Sequence, residues 1–258
     1  MKEMKTIVTG STWLVRGVIL ALLLVATIGC SSKTNGLDRN ILTDTLSTPL
    51  NGATAAKIDL NAGGGNLTID RLTSGEQLLA SGTLQYSEKQ GLPTRTLNSN
   101  NGQTVFSLSM GDPGRGGFHF PWEACNSETE WNIHLNPAVS SDITAHTGGG
   151  NVKLDLSGMA VTQVSADTGG GNVEVVLPDN ASVLNVNAKS GAGNVSVRIP
   201  NGVAAKLHMT TGLGKVIVDP QFSMIDKNTY QTPGYDSATS QVEITLSSGA
   251  GNVSVITN

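Results

Sequence analysis

The chain has 258 residues, which allows one large domain or two small ones. Charged residues make up 14% and aromatic residues 4%, whereas 31 residues are glycine; this profile favours β-structure with many tight turns over long amphipathic helices. The formal net charge of −4 comes without clustered basic residues, so the composition excludes the electrostatic pattern by which proteins bind nucleic acid.

Residues 1–29 have the pattern of a lipoprotein signal peptide. Basic residues precede an apolar run over residues 17–29, which is too short to cross the roughly 30 Å hydrocarbon core of a bilayer. Gly29 precedes Cys30 as a small residue precedes the lipidated cysteine of bacterial lipoproteins, although Thr27 replaces the usual Leu. We therefore predict lipidation at Cys30. An ordinary secretory signal followed by a chance cysteine is the alternative.

The predicted location is the cell envelope, with the chain held on a membrane by its N-terminal lipid and facing the periplasm or the exterior. Ser31 follows Cys30 where Asp would favour the inner membrane, so we expect the outer membrane in a bacterium that has two. Without residues 1–29 the chain has 13 basic and 19 acidic residues, a net charge of −6. Residues 30–52 are polar and lack a clear period, which predicts a flexible tether.

Residues 53–137 predict an N-terminal β region with an aromatic insertion. Antiparallel strands are expected at residues 78–86 and 104–110, and a flexible glycine-rich loop at residues 111–117. Four aromatic residues follow, Phe118, Phe120, Trp122 and Trp131. They are expected to cap the end of the solenoid, with a ligand platform as the alternative. Cys125 is expected to be a small buried side chain, and a nucleophile is the alternative.

A glycine-rich tetrapeptide ending in Asn occurs five times, and a sixth copy ends in Lys215. The predicted structural residues of this repeat are Gly63, Gly65, Asn66, Gly148, Gly150, Asn151, Gly169, Gly171, Asn172, Gly191, Gly193, Asn194, Gly249, Gly251 and Asn252. From Asn151 to Lys215 successive copies are 21 or 22 residues apart, and a fixed period of this size is typical of stacked repeats.

Strands of alternating polarity flank each bend, as residues 164–167 and 173–175 do. The sequence therefore predicts an all-β protein whose residues 138–258 form a β-solenoid, like a parallel β-helix, with coils of about 21 residues. Glycine is expected at the bends because the chain there needs positive φ or a close approach to the next coil. The Asn side chains are expected to stack as a ladder. Lys215 would interrupt it and make its coil less regular, and residues 220–241 would form a loop, hairpin or cap.

Three segments carry a family resemblance: residues 56–67, residues 131–137 and residues 146–158, the last with Asp155-Leu156-Ser157 after a glycine bend. They resemble the toast-rack family of bacterial envelope proteins, related to the putative-adhesin domains and to the C-terminal domain of LiaF-type sensors of cell-wall stress. The resemblance covers residues 53–258. It implies a non-catalytic surface module with no active-site residues to carry over.

One set of side chains is a candidate ligand patch. In the predicted register, His146, Asp167, Lys189 and Thr210 form one outward column on four consecutive coils, and Thr144, Ser165, Asn187 and His208 form a second. A carboxylate between an imidazole and an ammonium could serve acid/base chemistry or bind a glycan. Ordinary cross-strand pairing is the alternative, and Lys153 with Glu174 is expected to form such a pair. His119 and His134 are expected on the surface, without a metal or other cofactor.

Three functions remain open from the sequence. The leading one is a lipid-anchored interaction module for adhesion, scaffolding or envelope-stress sensing, whose partner is an envelope protein or glycan. A carbohydrate-binding or carbohydrate-active β-helix is the alternative, and it would need a cleft at the His146 column. A self-assembling solenoid filament is the second alternative.

Overall fold

A computed structural model of the protein describes residues 40–73, 77–110, 129–179, 181 and 183–257. The predicted signal peptide, Cys30, His119, Cys125 and the aromatic residues at positions 118–122 lie outside the described residues. Within the described part, no helix has the length and apolar character needed to cross a membrane.

The described residues form strands and two short 3-10 helices, so the all-β prediction is confirmed. In chain order the strands are β1 (Ile41–Pro49), β2 (Ala55–Asn61), β3 (Asn66–Arg71), β4 (Leu78–Ser87), β5 (Thr94–Asn100), β6 (Gln103–Ser109), β7 (Glu130–Leu135), β8 (Ser140–Thr147), β9 (Val152–Asp155), β10 (Val161–Thr168), β11 (Val173–Val176), β12 (Val183–Ser190), β13 (Val195–Ile199), β14 (Ala204–Leu213), β15 (Val216–Val218), β16 (Ser223–Asp226), β17 (Thr229–Gln231), β18 (Gln241–Ala250) and β19 (Val253–Thr257). The 3-10 helices are Glu88–Gln90 and Tyr235–Ser237.

The strands belong to two mixed sheets. Sheet A has the order β1-β4-β7-β3-β9-β11-β13-β19-β15, and sheet B has the order β5-β6-β2-β8-β10-β12-β18-β14-β17-β16. Both sheets contribute to one hydrophobic core. The alternation read from the sequence explains this packing: Val164 and Ala166 of β10 are buried, whereas Ser165 and Asp167 between them are partly exposed.

Each strand that precedes a glycine bend lies in sheet B, and the strand that follows the bend lies in sheet A. All twelve strands predicted beside the six bends are present. Successive units pair in parallel, for example β8 with β10 and β9 with β11. This arrangement is solenoid-like: each bend carries the chain from one sheet to the other.

The predicted order of the coils is wrong at the C-terminal end. The unit formed by β18 and β19, last in the sequence, inserts between the unit of β12 and β13 and the unit of β14 and β15. Lys189 is therefore paired with Ser247, and Thr210 lies one strand further away. Strands β14 and β18 of the two C-terminal units bury residues at the same alternating positions near their N-terminal ends, so spacing alone does not decide which unit packs against β12 and β13.

Part of the predicted tether is a strand. Residues 41–49 form β1, which pairs antiparallel with β4 along its whole length. Leu46 is 1% exposed, and Asp44 forms a 2.6 Å ion pair with Arg95 of β5. The prediction missed this strand because few of its inward positions carry large apolar residues.

The sheets run without interruption across the predicted boundary between residues 137 and 138. Strand β2 pairs with β8, and β3 pairs with both β7 and β9. Trp131 of β7 is fully buried in the shared core. Within the predicted 220–241 insertion, β16 and β17 form a hairpin that extends sheet B beyond β14.

Candidate functional site

The bends explain why the first and third positions of the repeat are glycine. A Cβ added to Gly171 would lie 2.1 Å from the carbonyl oxygen of Gly150 on the neighbouring coil, and one added to Gly150 would lie 1.7 Å from that of Gly65. The middle glycine is different, because a Cβ on Gly170 would meet its nearest neighbour at 3.9 Å. The sequence accordingly has Ala192 at this middle position in another copy.

A column of hydroxyl groups next to the bends was missed by the sequence analysis. In five copies the residue before the first glycine is Ser or Thr, and its hydroxyl donates to the carbonyl oxygen of the third glycine on the adjacent coil. The donors are Thr147, Thr168, Ser190, Ser248 and Thr211, at 2.7 or 2.8 Å. The repeated Ser or Thr in the sequence was the signal that could have revealed this column.

The Asn side chains form a hydrogen-bonded ladder. The Oδ1 atom of each Asn accepts a hydrogen bond from the backbone N–H at the same position of the next coil, at 2.9 or 3.0 Å. The last donor is the N–H of Lys215, whose strand β15 is the edge of sheet A. The expectation that Lys215 breaks the ladder is therefore wrong. Lys215 ends the ladder, where no further coil of the described chain needs an acceptor.

The candidate patch lies on the outward face of sheet B. Strands β8, β10 and β12 are adjacent and bring His146, Asp167 and Lys189 into one row, as predicted. The Nδ1 atom of His146 is 2.5 Å from Oδ1 of Asp167, and the two side chains are 42% and 39% exposed. Lys189 is exposed on the far side of Asp167. The three side chains form an accessible polar row.

The second outward column is polar along its whole length. Its order is Thr144, Ser165, Asn187, Thr245 and His208, because β18 inserts before β14. Adjacent strands place these side chains about 4.8 Å apart. The outward face of sheet B thus presents two parallel rows of hydrogen-bonding and charged groups, an arrangement that suits an extended surface partner.

A second His–Asp pair lies on the outward face of sheet A. His134 of β7 contacts Asp70 of β3, and each side chain is 42% exposed. His134 is a strand surface residue, as expected, but its pairing with Asp70 was not predicted. Also on sheet A, Lys153 and Glu174 are neighbours in register, while Glu174 Oε1 is 3.9 Å from Nε of Arg198.

Two of the open depressions on the described surface lie away from the His146 row. One, of about 460 Å³, is lined by Asp70, Arg71, Asp155, Ser157, Gly158 and Asp179. The other, of about 480 Å³, lies on the hairpin of β5 and β6. Among the described residues, no three His, Cys, Asp or Glu side chains converge as metal ligands.

Shifted pKa values occur away from the patch. The hydroxyl of Thr257 donates to Asp219 at 2.7 Å and holds the pKa of that carboxyl below its ordinary value of 3.8; the backbone N–H of Gln221 acts in the same direction. Burial raises the pKa of Tyr235, and the nearby carboxylate of Glu243 adds to this effect. Both groups belong to the C-terminal end of the fold, where they help to fix local structure.

Comparisons with known proteins agree with the fold. A family model described as the N-terminal domain of toast_rack, DUF2154, matches residues 37–198. A crystal structure of a putative cell adhesion protein from Clostridium sporogenes ATCC 15579 has a TM-score of 0.74 and 24% identity, and the match covers 85% of this chain and all of that one. This likeness shows a shared fold.

Two further crystal structures match over similar lengths. A putative adhesin from Bacteroides fragilis NCTC 9343 is 12% identical with a TM-score of 0.32, and the match covers 86% of this chain and 100% of that chain. A putative lipid binding protein from Parabacteroides distasonis ATCC 8503 is 9% identical with a TM-score of 0.28, over 85% and 97%. These scores are too low to support an argument. No curated protein matches the chain.

Proposed function

The chain belongs to the toast-rack family, and we propose that it is a lipid-anchored β-solenoid of the cell envelope that works by binding rather than by catalysis. The outward face of sheet B, around His146, Asp167 and Lys189, is the proposed binding surface. Its partner is an envelope protein or an envelope polysaccharide, and the resulting role is adhesion, scaffolding or stress sensing.

The proposal is supported by a difference between two sets of residues in each coil: one set joins neighbouring coils, and the other faces outward. The repeated Gly, Asn and Ser or Thr residues hold neighbouring coils together, as the contact of Gly171 with Gly150 illustrates. The outward side chains of sheet B take no part in these contacts at the bends, and their identities differ from coil to coil. A regular framework that displays a variable, flat polar face is suited to recognition of a large surface.

The lipid anchor rests on residues 1–30 and is tested separately from binding. The Cys30→Ser variant removes the thiol that would carry the lipid, and its matched control is Ser31→Ala. We expect the wild-type chain and the control to fractionate with membranes and to incorporate a labelled fatty acid, and Cys30→Ser to do neither. Membrane association of Cys30→Ser equal to that of wild type would contradict lipid anchoring.

Binding is tested with the full chain on vesicles, incubated with purified peptidoglycan, envelope polysaccharide or solubilised envelope proteins. The test variant is Asp167→Ala with Lys189→Ala on sheet B. The matched control is Lys153→Ala with Glu174→Ala, which removes a similar pair from sheet A.

We expect saturable binding that the sheet B variant weakens at least tenfold and the sheet A variant leaves within twofold of wild type. Equal binding by both variants would contradict the assignment of this face. The fraction that binds, polysaccharide or protein, identifies the class of partner.

A further inference from the structure

The two sheets end at different places at the C-terminal side of the stack. Sheet A ends at β15, which belongs to the same coil as β14 of sheet B. Sheet B continues past β14 with β17 and then β16. Two strands of sheet B therefore have no strand of sheet A opposite them in the described part of the chain. We call this two-strand extension the overhang, defined by residues 223–231.

The core-facing side of the overhang is apolar: Tyr230 packs partly against the core, and Met224 beyond it is open to solvent. Leu207 of β14 is fully buried, and it pairs with Tyr230, which pairs in turn with Met224. All three side chains therefore point to the same side, toward the level of sheet A. Met224 is nevertheless 64% exposed. On the edge strand β15, Val216 and Val218 pack against the core, whereas Ile217 between them is 49% exposed on the outward face of sheet A. Natural proteins usually protect edge strands from pairing, and this edge carries exposed apolar residues instead.

Strand directions decide what can fill this space. The four-residue bend reverses the chain, so β15 runs opposite to β14. Strand β16 runs parallel to β14, because it is separated from it by two antiparallel pairings. Consider a two-fold rotation about an axis parallel to the strands. The rotation leaves the direction of every strand unchanged, and it brings sheet B of the second copy into line with sheet A of the first. It would place a second copy's β16 beside β15 in antiparallel orientation.

We propose that this end of the stack binds a second copy of the chain as a two-fold symmetric dimer. Among the described residues of each copy, no strand of sheet A lies opposite the two-strand overhang, so the overhang of each protomer fills that space in the other. Sheet A of one protomer then continues into sheet B of its partner, and the exposed Met224 side chains become buried. Such a self-complementary contact closes after two subunits and does not propagate into a filament.

Charges at the two edges agree with this pairing. Lys215 immediately precedes β15, and Asp226 is the last residue of β16. Antiparallel pairing brings Lys215 to the same end of the interface as the partner's Asp226, so opposite charges meet on both sides of the two-fold axis. The proposal also accounts for the lysine that ends the Asn ladder, because a charge at this position selects the partner.

The test is sedimentation equilibrium of the full chain in detergent over a range of protein concentrations. We expect a monomer–dimer equilibrium, and Met224→Asp should raise the dimer dissociation constant more than tenfold because it places a charge in the apolar contact. Leu92→Asp is the matched control: Leu92 is 75% exposed and lies between β4 and β5, at the opposite end of the stack. It should leave the dissociation constant within twofold of wild type.

A charge exchange tests the orientation. Lys215→Asp and Asp226→Lys should each raise the dissociation constant about fivefold, and the double variant should return it to near the wild-type value. Because Asp226 also accepts a hydrogen bond from the backbone N–H of Lys227, the unfolding midpoint of every variant is measured alongside. A monomer at all concentrations, an open-ended polymer, or a dimer unaffected by Met224→Asp in a folded protein would overturn the proposal.

Discussion

The third glycine of the bend is the position where adding one methyl group should destabilise the folded protein most. In Gly171→Ala the added Cβ would lie 2.1 Å from the carbonyl oxygen and 2.4 Å from the carbonyl carbon of Gly150. Carbon atoms do not approach oxygen this closely, so the two coils must move apart. The matched variant is Gly170→Ala, whose Cβ would have its nearest contact at 3.9 Å.

Separation of the coils would break three hydrogen bonds at this bend. Thr168 Oγ1 donates to Gly150 O at 2.7 Å, the N–H of Asn172 donates to Asn151 Oδ1 at 2.9 Å, and the N–H of Val152 donates to Asn172 O at 2.9 Å. At about 1 kcal/mol each, their loss would destabilise the protein by about 3 kcal/mol. For a domain of this size that corresponds to a fall in Tm of roughly 6–12 °C.

Scanning calorimetry of the full chain checks this prediction. We expect Gly170→Ala to change the free energy of unfolding by less than about 1 kcal/mol, because the native sequence already tolerates alanine at this position in Ala192 and Ala250. Equal destabilisation by the two variants would refute the stacking argument, since it would mean that backbone freedom, rather than contact between coils, requires the glycines.

Three further predictions concern the ladder, the hydroxyl column and pH. At protein concentrations below the dimer dissociation constant, Asn172→Ala should lower the free energy of unfolding by about 1 kcal/mol, because it removes a ladder acceptor. Under the same conditions, Lys215→Ala at the ladder's end should change it by less than about 0.5 kcal/mol. Thr168→Val should cost about 1–2 kcal/mol, because it leaves a carbonyl oxygen at the bend without its donor. Asp219 has a lowered pKa in the folded state, so its stabilising effect is present above its ordinary pKa of 3.8 and is lost as the pH falls through the lower folded value. Asp219→Asn should therefore be less stable than wild type at pH 6 and should lose less stability between pH 4 and pH 2.

Urea unfolding at fixed temperature measures all three effects. Equal losses for Asn172→Ala and Lys215→Ala would contradict the direction of the ladder. A neutral Thr168→Val, matched against Thr144→Val on the outward face, would show that the hydroxyl column adds nothing. Parallel acid profiles for wild type and Asp219→Asn would show that Asp219 is not linked to folding.

The sequence was sufficient to locate the bends and the twelve strands beside them, because local residue types determine both. Gly at the first and third positions, and alternation such as that of residues 164–167, depend on contacts that recur between neighbouring coils. The row of His146, Asp167 and Lys189 was predictable for the same reason: equal spacing from the bend puts equivalent residues side by side.

The stacking order was not predictable from spacing. Strands β14 and β18 have similar buried residues, Leu207 and Met209 in one, Ile244 and Leu246 in the other. The two units differ in that β14 also pairs with β17 of the hairpin, a contact that the repeat spacing does not encode. The contact of Asp70 with His134 could not be predicted from the repeat either, because the two residues are 64 positions apart and β7 follows no glycine repeat.

The most direct test of the proposed binding face uses two histidines as matched probes. His146 on sheet B and His134 on sheet A are each 42% exposed, and each contacts an aspartate on the next strand. The full chain would be labelled with an imidazole-specific acylating reagent, free and bound to its envelope fraction, and each site quantified by mass spectrometry. The proposal predicts that binding protects His146 and leaves His134 as reactive as before; protection of His134 alone, or of neither, would contradict it.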